Sequence, residues 1–177
     1  MKKSVLIFCI PFFFFQQCNS DDKKKSPDDV VMSQEETTMI PGEEMISLPF
    51  GKIEHIEGLQ KALHINFSIK SRPVENNAQV DSVFTLSFKN SQLKIYFNSL
   101  YNTYVLIEAE INDLEIPVGK KIHTGMSFYL LASEIPQLKN SKASTIRLVD
   151  ESELTTLVLR IHNNQLKSIV FLNNEYP

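Results

Sequence analysis

The chain is poor in the residues that most chemistry-bearing motifs need. It has two cysteines, five glycines and no tryptophan in 177 residues. Both cysteines, Cys9 and Cys18, fall in the first eighteen positions. The rest of the chain therefore has no thiol, which excludes a disulfide scaffold, a thiol enzyme or a cysteine-based zinc site there. Five glycines form neither the dinucleotide-binding nor the P-loop pattern, and Gly-x-Ser-x-Gly is absent. The four histidines, His55, His64, His123 and His162, include no pair at i, i+4 and no His-Glu-x-x-His. No stretch alternates oxygen ligands around a central glycine as calcium loops do. No cofactor, metal or catalytic residue is expected. A formal charge of −3 leaves no electrostatic footprint for nucleic acid.

Long apolar runs are also missing. The longest, Val5 to Phe15, spans about 16 Å as a helix against a hydrocarbon core of about 30 Å. Lys2 and Lys3 precede it, and Gln16-Gln17-Cys18 follows. A charged start and a short apolar stretch make a secretory signal rather than a membrane span. With its closing cysteine, the segment resembles a bacterial lipoprotein signal, in the looser form found in Bacteroidota. Phe15, Gln16 and Gln17 depart from the commonest pattern of a leucine and small residues. The resemblance implies that residues 1–17 are removed and that Cys18 carries the lipid anchor. It places the protein in the cell envelope, at the outer membrane and facing outward. Asn19 to Lys25 is similar to the export tags of surface lipoproteins in that phylum.

From Asn19 to about Met45 the chain is polar, with Pro27 and Pro41-Gly42 as breakers. Such a stretch cannot bury enough apolar surface to offset its ordering entropy. Residues 18–45 therefore read as the lipidated cysteine and a tether, and 46–177 as one domain, with halves at 46–111 and 112–177. Within it, strands are expected at Ile46–Phe50 and Asn66–Ile69, a helix at Leu59–His64 and a loop at Ser71–Val80. Alternating apolar residues predict a hairpin, Val83–Phe88 with Gln92–Phe97. A strand follows at Tyr104–Ile111, with Val105, Ile107, Ala109 and Ile111 on one face. Another is expected at Leu114–Ile122. Ser127 is placed to cap a helix with Phe128, Leu130, Leu131 and Ile135 on its apolar face, stopped by Pro136. Ser144–Val149 is a strand, and Leu154–Ile161 with Leu166–Leu172 a last hairpin. The fold class is α+β, a mainly antiparallel sheet covered on one side by two short helices.

The string at 86–94 matches that at 159–167 in five of nine positions, 73 residues apart. Either hairpins with asparagine turns converge on such strings, or a helix-plus-hairpin unit occurs twice. The second copy, with Gly125-Met126-Ser127, its helix and its hairpin, resembles the small α+β modules of outer-membrane assembly lipoproteins and of tandem-repeat lactamase-inhibitor proteins. It lacks their aromatic signature, and the analogy concerns fold alone.

Two side-chain groups stand out. Glu108 and Glu110 share a strand face, but alternation with apolar neighbours gives them a solvated face, where acid–base chemistry lacks the asymmetric environments it needs. Tyr96, Tyr101 and Tyr104 cluster in sequence, and on one exposed face they would suit a protein or sugar partner. The leading expectation is a non-catalytic binding or assembly module that meets another envelope protein. The rivals are a hydrolase of envelope polysaccharide or peptide using Glu108 or Glu110 with a histidine, and an inhibitor or immunity-type protein.

Overall fold

The computed structural model describes residues 35–40, 44–76, 79–119 and 121–176. The signal, Cys18 and the first part of the expected tether lie outside the described residues. Eight strands form one sheet in the order β1-β6-β7-β8-β5-β4-β3-β2. They are β1 Glu35–Met39, β2 Ser68–Asn76, β3 Gln79–Phe88, β4 Ser91–Asn98, β5 Thr103–Ile111, β6 Thr145–Val149, β7 Thr155–His162 and β8 Gln165–Asn173. Every pairing is antiparallel except β1 with β6. The helices are α1 Glu44–Ser47, α2 Ile56–Leu63 and α3 Phe128–Glu134. This is the α+β class read from the sequence.

One face of the sheet carries the core. Direct cross-strand partners place Leu148, Leu157, Phe171, Ala109, Leu93 and Leu86 in one row on that face. Ile46 of α1, Ile56 and Leu59 of α2, and Leu131 and Ala132 of α3 join the same cluster. Each fully buried Leu, Ile or Phe contributes about 1.5–3 kcal/mol by leaving water. The Ser127 hydroxyl accepts the Leu130 N–H at 3.3 Å and caps α3 as expected. Leu130, however, points to solvent, and Ala132 takes the buried place beside Leu131.

Several expectations are corrected. The tether does not extend to residue 45. Glu35–Met39 is an edge strand on β6, and Ile40 behind it is buried in the core. Its partner lies more than a hundred residues away, so nothing local announces it. Ile46–Phe50 is not a strand: α1 ends before Pro49, and Gly51 N–H closes a turn on the Leu48 carbonyl at 2.9 Å. Ser71–Val80 is mostly strand. Pro73 is tolerated because β2 is the sheet edge. Leu114–Ile122 forms only an isolated bridge, Val118 with Ile122. Both edges of β5 are taken by β4 and β8, so Ile116, Val118 and Ile122 pack as a buried loop.

The register also changes at a bulge. Lys94 pairs with Glu108 but Ile95 pairs with Leu106, which leaves Ile107 unpaired. Leu106 therefore joins the core face, and Val105 turns to the other face beside Tyr96.

Two meanders, β2–β5 and β6–β8, each follow a helix and meet where β5 pairs with β8. The matched strings do not make them copies. The two-residue turns are Lys89-Asn90 and Asn163-Asn164. Aligning the turns thus slips the strings by one residue and sets Leu86 against Arg160. Such a slip exchanges the two faces of a hairpin. Accordingly, β2-β3-β4 and β6-β7-β8 run inward from opposite edges with matched directions, and superposing them turns the sheet over. Strand β5 joins both meanders, so the expected halves share one sheet and one core.

Candidate contact surface

Asp81 is fully buried, yet it lies on the sheet face opposite the helices. Its carboxylate accepts the Tyr96 hydroxyl proton. It also accepts the Ser99 N–H at 2.8 Å and the Ser99 hydroxyl at 2.9 Å, and Gln79 Nε2 at 3.3 Å. A buried charge is stable only when hydrogen-bonded in this way. The consequence is mechanical: the start of the β4–β5 turn is pinned to β3. Within that turn Asn98 Oδ1 accepts the Tyr101 N–H at 3.0 Å, and Asn102 takes a left-handed φ of 53°, which asparagine tolerates well. The clamped turn presents Leu100 and Tyr101 to solvent at 67% and 72% exposure.

The three tyrosines singled out from the sequence do not share a face, which corrects that expectation. Tyr96 is 8% exposed, bonded to Asp81 and covered by the Tyr176 ring at 5.5 Å. Tyr104 lies on the opposite face, with its ring 4.6 Å from Phe97 and 6.2 Å from Phe84. Tyr101 alone is open to a partner. Leu100 and Asp81 were not singled out: an aliphatic residue in a turn and an aspartate in a loop-like string carry no distinct signal. Glu108 pairs with Lys94 at 2.6 Å on the outer face, and Glu110 is exposed there. All four histidines are exposed. Among the described residues no group of three His, Cys, Asp or Glu side chains could hold a metal ion.

The turns at the Leu100 end share a character. Strands β2, β4, β6 and β8 all end there, as the pairings require. Val80 beside β2 and Leu154 before β7 are exposed. The exposed charges Glu75, Glu151, Glu153 and Glu175 lie on the same end and outnumber the exposed Lys52, which lines a concavity there with Tyr104 and Asn173. Asp150 joins them. Burial raises its pKa, but hydrogen bonds from the Ser152 hydroxyl and the Thr155 N–H outweigh that and hold it below the ordinary 3.8. The opposite end behaves differently: Glu115 is held below its ordinary value by a hydrogen bond from Lys89.

A concavity of about 670 Å³ lies beside α3, lined by Phe128, Tyr129, Ala132, Pro136, Lys139 and Asn164 among others. It is held against the β7–β8 turn by Phe128 N–H, which donates to the Asn164 carbonyl at 2.8 Å.

The fold and this surface together define a single-sheet α+β protein with a hydrogen-bonded, exposed apolar turn at one end. No protein-family model, curated protein or solved structure matches the chain. Among the described residues no helix is long and apolar enough to cross a membrane.

Proposed function

We propose that this chain is an envelope lipoprotein, anchored through Cys18, that works without catalysis by binding another protein through its β4–β5 turn. The observation that carries this reading is the Asp81 clamp. A fully buried carboxylate with three donors from Tyr96 and Ser99 holds Leu100 and Tyr101 out in solvent. Ordering a loop before contact lowers the entropic cost of association, and an aliphatic–aromatic pair at the centre of a contact is a typical anchor. The lipoprotein-like signal supports an envelope setting. A clamped apolar turn also suits insertion into an enzyme cleft, so an inhibitor-type role is the second reading; its signature is a tight stoichiometric complex with one enzyme.

The test is affinity purification of the full-length tagged protein from detergent-extracted envelopes, beside a Leu100→Asp, Tyr101→Ala variant. Both side chains are exposed, so the variant should melt within about 1 °C of wild type while losing a stoichiometric companion. A companion retained by the variant would refute the reading. Intact mass of the N-terminal peptide checks the acylated Cys18 independently.

A further inference from the structure

The sheet has two chemically different ends: β1 begins at one of them, and β8 finishes at the other. Strand β1 runs parallel to β6, so Glu35 sits beside Thr145, at the start of β6. The Leu100–Tyr101 turn is at the other end, where β4 and β6 finish. Strands of eight or nine residues separate the two ends by about 25–30 Å.

That end is predominantly acidic as well as apolar, its carboxylates outnumbering Lys52. Across it lie Leu154, Leu100, Tyr101 and Val80, spread over the strand positions from β7 to β3, about 20 Å at the usual strand spacing. Glu75, Glu151 and Glu175 flank them. An anionic lipid surface would repel such an end. A protein whose apolar pocket is ringed by lysine and arginine would match it, because exposed charges around an apolar contact steer association and fix orientation.

We infer that the Leu100–Tyr101 turn docks into an apolar pocket rimmed by lysine or arginine on a second envelope protein. This rests on the docking role proposed above and adds the partner's chemistry.

The experiment places p-benzoylphenylalanine at Tyr101 and, as the opposite-end control, at Lys167, in the full-length protein in its own envelope. Photoadducts are mapped by mass spectrometry. A second Tyr101-labelled version carries Glu75→Lys, Glu151→Lys and Glu175→Lys. The expected result is an adduct at 101 and not at 167, on a protein segment that combines apolar residues with lysine or arginine. The charge-reversed version should lose the adduct about ten-fold, as expected when several rim charges are inverted. An adduct on phospholipid, on a second copy of the chain, or equally at 167 overturns the inference. An adduct at 101 that survives charge reversal overturns the cationic rim while leaving docking intact. No adduct at 101 overturns the docking role itself.

Discussion

Replacing Asp81 with alanine should loosen the turn that carries Leu100 and Tyr101, and the cost can be worked from its partners. The side chain is fully buried. Its removal strips an acceptor from the Tyr96 hydroxyl, from the Ser99 N–H and from the Ser99 hydroxyl. Ser99 is exposed and can turn to water. The Tyr96 hydroxyl sits in a buried side chain under the Tyr176 ring and cannot do so easily. A buried donor left without a partner costs about 1–3 kcal/mol, and a hydrogen bond to a charged acceptor contributes about 1.5–3 kcal/mol. The expected destabilisation of Asp81→Ala is therefore about 3 kcal/mol, less than the simple sum because Ser99 recovers. At about 2–4 °C per kcal/mol for a domain of roughly this size, the melting temperature should drop about 6–12 °C. Denaturant titration gives the free energy, and hydrogen exchange at the Ser99 and Tyr101 amides reports the turn. Tyr96→Phe, combined with Asp81→Ala in a double-mutant cycle, should show a coupling of about 1–2 kcal/mol. A loss below about 1 kcal/mol with unchanged exchange at Ser99 and Tyr101 would refute the clamp and with it the argument for a preorganised turn.

Two further outcomes follow from local geometry. Gly58 lies inside α2, where alanine is favoured by about 1 kcal/mol. An added Cβ would come within 3.0 Å of the His55 ring. His55 is exposed and makes no side-chain capping bond, so the ring can swing aside. Gly58→Ala should stabilise by about 0.5–1 kcal/mol in denaturant titration, and a loss of stability would show that the ring is held. The acid limb of stability should depend on Asp150. Its folded pKa lies below the ordinary 3.8, so the unfolded chain binds the proton more tightly. The contribution is complete above about pH 5 and disappears as the pH falls through the folded value. Asp150→Asn should flatten the pH dependence of unfolding below pH 5, and an unchanged slope would assign that limb to other carboxylates.

Much of the fold was legible because it is local. The hairpin at Phe84–Phe97 and the last hairpin follow from alternation beside turn residues, and Ser127 announced α3 because a cap acts three residues away. The candidate surface was legible only in part. Three tyrosines close in sequence bracket the turn that carries the candidate surface. Only one of them faces outward, because Tyr96 and Tyr104 sit on opposite faces of adjacent strands.

By itself the sequence determined the period of the strands, the positions of the main turns and the helix cap, all of which depend on neighbours within a few residues. The tertiary structure decided the rest. It paired the polar strand Glu35–Met39 with β6, let Pro73 sit on an edge, and turned Leu106 into the core at the Ile107 bulge. It also buried Asp81 under Tyr96 and Ser99, which ties a loose-looking turn to β3. These outcomes depend on which strands lie side by side, a long-range choice set by burial of one shared face, and no short window of residues contains it.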